Sequence, residues 1–514
     1  VRSREEGSRR IDPKAVGAFG VEGIVHHYRN IPRLFLNPFL PGALFAVGVV
    51  FRLLHLADPI RYDEAFTFLN YAGGPLWEAL TDYRAANNHF LNTLLVRLAA
   101  HVLGEQAALW RLPNLLAGLG TLIWAGVIAK KWFGRGAGVV ALAVTCVSPV
   151  MAHFSVLARG YGLSLFFGLT ALYFVDVRHE RKAGGLPLIG AWLSCALACY
   201  AVPTALLFVA AVFAYDAYRT YRRRARAATL LPLWAPAALL TALPYLPALI
   251  GTGPRAFFAS AGGAFEAPLS LAGLRPYGAA LLDAKTWGPG GGWFWLPLAA
   301  VGLVVGAVKR PAYGVLAAVA VGAAVVLLGA GYRPPARVFL YLLPVVSFGI
   351  GAAAEALWER LRSRVSVSRA FGVALLVAAA AAVVVAERGR YLSSSARAGA
   401  APAALPILDY VTENHAGNIY VITKTPLNYA LMYYVEHSPC REVTVVTGRS
   451  PNAFTYEALV AVPAGEPLRE VVWEGTGRTG VVLRAAFVIR ICDVGIWRAL
   501  IASPDAAATG AVTK

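Results

Sequence analysis

The chain has 514 residues, 58% of them hydrophobic and 15% charged, with a mean hydropathy of +0.58 and a formal net charge of +19. Soluble proteins carry roughly 25% charged residues, so a water-soluble globular enzyme is excluded and a polytopic α-helical membrane protein is expected. The basic excess does not call for nucleic acid. Lys130, Lys131, Arg135, Arg178, Arg181, Lys182, Arg222, Arg223, Arg224, Arg226, Lys309, Arg310 and the basic run 360–369 all fall in short loops between apolar runs. That is the positive-inside pattern, which orients helices in a bilayer.

Residues 1–33 read as a basic cytoplasmic segment (Arg2, Arg4, Arg9, Arg10) with no cleavable signal peptide expected, because the following apolar run is long and lacks a small-residue cleavage site. Apolar runs predict helices near 34–56, 107–129, 136–157, 162–177, 187–200, 203–217, 230–250, 293–308, 311–330, 338–357 and 369–386. Most approach the roughly 20 residues needed to cross a bilayer core. The stretch 187–216 is long for one crossing and short for two; basic loops on both sides favour two, broken at Ala201-Val202-Pro203. Residues 88–104 read as a helix lying on the surface, with Leu91, Leu94, Leu95, Leu98 and Val102 on an apolar face and Arg97 and His101 on a polar one.

These eleven crossings place the N-terminus in the cytoplasm and the C-terminus outside. The transmembrane region is then 34–386, with a first outer loop at 58–111, and polar chemistry gathers on the outer side. Residues 387–514 read as a small extracytoplasmic α/β domain: strands at 418–422 and 443–446, a helix at 427–435, and apolar runs at 458–462 and 481–483. It has no Gly-rich phosphate loop and no nucleophile elbow. Cys146, Cys195 and Cys199 fall in apolar runs as small core residues. Cys440 and Cys492 are available to pair if the tail is outside the cytoplasm.

Asp63 and Glu64 are the first candidates for chemistry. They follow Arg61 and Tyr62 just after the first apolar run, where carboxylates at a membrane boundary need a partner or a task. A helix N-cap is one reading, with Asp63 capping and Glu64 favouring the positive helix end. A general base acting on an acceptor hydroxyl is the other. The same loop carries Asp82 and His89, and Asp63, Glu64, Asp82 and His89 are candidates for a divalent metal, although their spacing fits no metal motif. Arg111, Arg159 and Arg337 lie at helix boundaries on the same side. Headgroup anchoring explains any one of them, and binding an anionic lipid phosphate is the alternative.

Arg52-Leu53-Leu54-His55-Leu56 followed by Tyr62-Asp63-Glu64-Ala65 resembles the opening of GT-C glycosyltransferases of the glycosyltransferase 39 type, which include protein O-mannosyltransferases and aminoarabinose transferases. Trp110-Arg111-Leu112-Pro113-Asn114, Ala158-Arg159-Gly160-Tyr161 and Arg337-Val338-Phe339-Leu340-Tyr341-Leu342-Leu343-Pro344 resemble further elements of that family, so the likeness runs from about 34 to 350. It implies a polyprenyl-phosphate sugar donor, an extracytoplasmic active site and inversion at the anomeric carbon. It further implies Asp63 as catalytic carboxylate, Glu64 beside it in the acceptor site, and Arg111, Arg159 and Arg337 around the donor phosphate. Tyr62, Asp82, His89, Tyr161 and Tyr341 complete the candidate substrate-binding set. The chain departs from the family where Asn87-Asn88-His89-Phe90 stands in place of a basic residue or histidine followed by two prolines.

The expectation is therefore an integral-membrane glycosyltransferase of a bacterial inner membrane. It would move one sugar from a polyprenyl phosphate to a glycan, lipid or protein acceptor, with membrane lipids as its surroundings. The rivals are a transporter or flippase of lipid-linked glycans, which would carry ionisable residues at mid-membrane, and a non-catalytic GT-C scaffold.

Overall fold

The computed structural model of the protein describes residues 39–83, 85, 87–104, 106–181, 185–257, 274, 278, 291–330 and 334–361, then 404–414, 419–423, 427–436, 443–446, 456–463, 466–476, 481–491 and 494–502. Most of these are helical. Leu112–Phe133, Ala227–Thr252, Pro311–Gly329 and Leu342–Arg360 are each long and apolar enough to cross a membrane, and Phe39–Leu53, Leu186–Ala201 and Trp293–Lys309 are shorter apolar helices among them. This is a polytopic membrane protein. The predicted helix at 369–386 lies outside the described residues, as do Cys440 and Cys492.

Several boundaries follow from local chemistry. The predicted 187–216 pair breaks at Val202, between Leu186–Ala201 and a short turn beginning at Pro203 that leads into Leu206–Arg222. The expected 136–157 helix is two helices, Arg135–Val147 and Pro149–Val156, bent by 66°. Pro149 cannot donate the next helical bond. Arg52, fully buried at the end of Phe39–Leu53, aims its guanidinium at the carbonyls of Thr145 and Cys146 (both 3.4 Å) and Gly48 (3.0 Å). The bend therefore exposes carbonyls that a buried arginine covers, as helix C-termini require.

Phe90–Leu103 forms as expected, but its apolar stripe is split: Leu91 and Leu95 pack against Ala117, Leu163 and Ala201, while its outer part turns away from the core. Phe90, Asn92, Thr93, Val96 and Ala99 are buried, whereas Leu98 and Val102 are exposed. Inside, Asn92 and Thr93 satisfy other buried polar groups; outside, leucines suit a lipid surrounding better than water.

The described part of the tail builds one mixed five-stranded sheet. Strands β1 (Ile419–Ile422), β2 (Val443–Val446), β3 (Tyr456–Pro463), β4 (Val481–Ile491) and β5 (Val494–Ala502) lie in the order β2-β1-β3-β5-β4. β2, β1 and β3 run parallel, while β5 is antiparallel to β3 and to β4. Helices Ala404–Asn414 and Leu427–Glu436 share one apolar core with the first loop of the membrane region: Ile407, Val411, Leu431 and Tyr433 meet Ile60, Phe68, Trp110 and Ala158. Phe68 stacks on Trp110 at 3.9 Å, and Tyr433 meets Trp110 edge-on at 5.2 Å. The tail is thus seated directly above Asp63-Glu64.

Candidate active site

Asp63 and Glu64 lie in the first turn of the short helix Tyr62–Thr67, and the two neighbours have opposite environments. Glu64 is 2% exposed. Its Oε2 accepts the Arg61 backbone N–H at 3.1 Å, the reach-back that closes a helix N-terminus. Arg111 grips the same carboxylate with two nitrogens, Nε to Oε1 at 2.9 Å and Nη2 to Oε2 at 2.6 Å. Ala158 N–H adds a bond to Oε1 at 2.9 Å. Burial alone pushes this carboxyl up, but the charge and hydrogen bonds of Arg111, with the Ala158 N–H, outweigh it and hold Glu64 below the usual carboxylate range.

Glu64 and Arg111, both expected in the substrate site, are thus paired with each other. Arg111 is 1% exposed, and its remaining donors reach the carbonyls of Leu56 (2.8 Å), Asp58 (2.6 Å) and Pro59 (3.2 Å). With its five N–H groups engaged by one carboxylate and three carbonyls, it has none left for a phosphate. The pair is a buried clamp joining the end of the first loop, the Asp63 helix and the 157–160 turn.

Asp63 faces the other way. Its side chain is 31% exposed, 3.5 Å from Nη2 of Arg159, and it accepts a bond from Asn87 Nδ2 at 3.3 Å. Arg159 is 3% exposed, and its Nε and Nη1 have no hydrogen-bond partner among the described residues. The turn carrying it is held on both faces: Ala158 gives its N–H to Glu64 and receives Asn92 Nδ2 on its carbonyl at 2.8 Å. Asn92 is itself bonded by Asn114 Nδ2 at 2.6 Å. Gly160 follows in the left-handed region (φ +72°), and a Cβ there would stand 2.6 Å from the Ala201 carbonyl. Only glycine fits such a turn.

Arg337, in the Ala336–Phe339 turn, donates from Nε to the Tyr161 hydroxyl at 3.0 Å. The Tyr161 ring is 5.5 Å from His89. His89 is 4% exposed, and neither ring nitrogen has a hydrogen-bond partner among the described residues. Burial first, then the positive charges of Arg159 and Arg337, lower its pKa well below the ordinary histidine value. Tyr161, Arg337 and Tyr341 line a cavity with Thr204 and Phe208.

The structure thus brings Asp63, Arg159, Arg337, Tyr161 and His89 to one place. The Tyr341 hydroxyl is committed to the Ala320 carbonyl at 3.1 Å, so that residue contributes its ring rather than its hydroxyl. Tyr62 is half-buried, its ring 5.2 Å from that of Tyr429 on the tail helix. Asp82 sits apart as the C-cap of Leu76–Thr81, with its carbonyl accepting Asn88 Nδ2 at 2.7 Å. Among the described residues no three His, Cys, Asp or Glu side chains converge on a metal-sized point, so the four-residue metal grouping does not assemble. Glu64 is committed to Arg111, and Asp82 belongs to another turn.

Asn92 and Tyr429 carry no signal in the sequence, and Asn87 and Asn114 stand there only within longer motifs; all four act across the fold. Sequence reasoning also missed two buried carboxylates at the end of the bundle bearing the basic loops. Asp176 accepts Lys131 Nζ (2.8 Å), Arg219 Nη1 (2.9 Å), Arg310 Nη2 (2.8 Å) and Trp132 Nε1 (3.1 Å), and bonds the Tyr215 hydroxyl. Asp216 bonds Arg178 (2.9 Å), His179 (2.6 Å) and Trp234 (2.8 Å). An acidic residue one turn from a basic helix end was the available signal.

No protein-family model matches the chain, and no curated protein matches it either. Solved structures do. The apo structure of ArnT from Cupriavidus metallidurans aligns with a TM-score of 0.54 at 13% identity, covering 88% of this chain and 97% of that one. The undecaprenyl-phosphate-bound structure of ArnT from the same organism aligns with the same coverage and identity at a TM-score of 0.45. An Archaeoglobus fulgidus oligosaccharyltransferase aligns at 0.44 and 13% identity over 77% of this chain and 61% of that one. The first of these shows that the two chains share a fold.

Proposed function

We propose that the protein is an integral-membrane glycosyltransferase that moves a single sugar from a polyprenyl phosphate to an acceptor hydroxyl, with inversion. The observation that carries this is Arg159. A guanidinium buried to 3% exposure with two nitrogens unpartnered among the described residues, beside a partly open carboxylate, is costly unless an anion completes it. Arg337 stands on the same space through Tyr161. Two arginines at a helix boundary suit a phosphate held at headgroup depth.

Asp63 is the base. Its partly open carboxylate, kept near Arg159 and steadied by Asn87, takes the proton of the acceptor hydroxyl as that oxygen attacks the anomeric carbon. The carbon–oxygen bond to phosphate breaks on the opposite face, and its electron pair stays with the phosphate. Arg159 and Arg337 meet the charge that develops there, where it stabilises the transition state more than the ground state. Glu64 and Arg111 do not touch substrate in this scheme; they hold Asp63 and Arg159 in register.

The positive-inside pattern supports a site outside the cytoplasm, with eleven crossings and the α/β tail as a domain on the same side, and we take a bacterial inner membrane as the location. Cysteines introduced at Ala400 and Ala225 should then label from opposite sides, and labelling from one side removes this topology. The acceptor is a glycan, lipid or protein. The donor assignment is tested with purified protein in lipid nanodiscs and undecaprenyl phosphate as the probe. Wild type should bind it, and R159A should bind at least ~10-fold more weakly, the loss of one charge-assisted contact. A wild-type protein without affinity for the probe overturns the donor reading.

A further inference from the structure

His89 has no task in the displacement just described, yet it is placed as if it had one. Both ring nitrogens are buried without a hydrogen-bond partner among the described residues. The ring faces Tyr161 at 5.5 Å, with the Arg337 guanidinium on the Tyr161 hydroxyl, and the charges it senses are Arg159 from the 157–160 turn and Arg337 from the 336–339 turn. Asp63 lies beyond Arg159. A histidine used only for packing would ordinarily pair at least one nitrogen. Here three sources of hydrogen-bonding capacity, on Arg159, Arg337 and His89, surround one region from three separate segments of chain.

The chemistry of the donor explains why a titratable ring stands there rather than a third fixed cation. A sugar–phospholipid donor is a phosphodiester with one negative charge. The lipid phosphate that departs is a monoester, whose second ionisation lies near pH 6. The anion held by the site therefore gains a charge during the reaction. Two arginines already match the singly charged donor; an imidazole that starts neutral adds nothing to donor binding by charge and adds a full positive charge once a second negative charge appears.

We propose that His89 contacts the leaving phosphate and takes up one proton as the phosphate acquires its second charge, so that the site distinguishes the monoester from the diester. This rests on the polyprenyl-phosphate donor. The proton count closes. The acceptor hydroxyl gives one proton to Asp63, which returns it to water; one proton from water binds the imidazole; and the bound product complex holds as many protons as the bound substrates. The proton on His89 is released when the lipid phosphate leaves and the ring again faces Arg159 and Arg337 without the phosphate's charge. A catalytic group of this kind acts on the charge that develops late, which is where it accelerates the step.

The test is calorimetric titration of nanodisc-embedded full-length protein in buffers of differing ionisation enthalpy. The ligands are undecaprenyl phosphate and its methyl phosphodiester. Wild type should take up close to one more proton with the monoester than H89Q does at the same pH, a difference in which the ligand's own titration cancels. Between pH 6 and 8 its monoester affinity relative to H89Q should rise by up to ~10-fold for each unit of acidification, the limit for one linked proton. The diester should show no uptake with either protein. Equal uptake by wild type and H89Q overturns the proposal while leaving the donor assignment intact. Should H89Q fail to fold, the wild-type comparison of monoester with diester decides alone, and equal uptake for both overturns it. Wild type that binds neither ligand overturns the donor assignment itself, and this inference with it.

Discussion

The two ends of the helical bundle use the same residue types to opposite purposes. At the basic-loop end, Asp176 and Asp216 are buried carboxylates surrounded by arginine, lysine, histidine, tyrosine and tryptophan donors, so each acid is saturated. At the other end the arrangement inverts. Buried Arg159 and His89 carry donors and acceptors without partners among the described residues, and the carboxylate beside them is partly open. Saturated buried carboxylates fasten helices together, even where Lys131 Nζ and Arg310 Nε keep spare capacity; a buried cation beside a partly open carboxylate leaves room for a further anion. Within the second end the same contrast recurs over one peptide bond, with Glu64 closed on Arg111 and Asp63 open.

The largest effect that would test this contrast is on catalysis. Asp63→Asn should lower the transfer rate by ~10²–10⁴-fold, the range for losing a positioned general base, while the melting temperature changes little. Retained activity removes Asp63 from the reaction. Next come the saturated carboxylates. Asp176→Ala leaves three cations around one site, and Glu64→Ala leaves Arg111 buried alone, so each should cost about 3–5 kcal/mol of stability, read by thermal unfolding in detergent. The two should then part company. Folded D176A should bind undecaprenyl phosphate as wild type does, whereas E64A, which frees the 157–160 turn, should not. If D176A instead unfolds at the wild-type temperature and loses ligand affinity, the contrast between the ends is wrong.

Arg159→Met sharpens the comparison from the other side. It should weaken lipid-phosphate binding by about 1.5–3 kcal/mol, yet leave unfolding unchanged or shifted upward, because an apolar side chain replaces a buried cation lacking full compensation. A fall in stability as large as that of E64A would make Arg159 a structural clamp. The smallest effect is on pH. His89 has a folded-state pKa below its unfolded value, so below about pH 6.5 the unfolded chain binds the extra proton. The contribution of His89 should therefore be neutral above that pH and become destabilising as pH falls through it, by no more than ~1.4 kcal/mol per unit. H89Q should lose less stability than wild type between pH 7 and pH 5. Parallel losses in the two proteins would show that His89 is not held neutral.

Much of the membrane region was legible from the chain, for physical reasons that differ by residue. A helix that must satisfy its backbone without water shows itself as an apolar run, and Pro203 marks the break between two helices because it lacks the N–H that would continue one. Asp63 drew attention because an ionisable group beside a membrane helix is rare. Neighbours in sequence need not share surroundings. Glu64 looked like a partner in chemistry because it follows Asp63, but successive helical residues point about 100° apart. One of these two side chains turns into a buried core and the other toward an open space. Arg111 looked like the other boundary arginines, and nothing local says that it alone meets a buried carboxylate. The leucine stripe of Phe90–Leu103 was visible, but which side of it was inside depended on Asn92 having Ala158 to bond. Of the last two strands only 481–483 was foreseen, because the pairing of β5 with β3 and of β4 with β5, rather than intrinsic pattern, sets their length.

Alone, the sequence determined that this is a membrane protein, where most of its helices run, that Asp63 is its most informative residue, and the family it resembles. Those are properties of local composition and order, and they persist whatever the helices pack against. Tertiary structure decided which cations are paired among the described residues, that Glu64 is buried against Arg111, that His89 lies near Arg159 and Arg337, and that the tail packs against the first loop. Each depends on partners between twenty and several hundred residues away, and hydrogen-bond saturation is a property of the assembled neighbourhood, which no single segment carries.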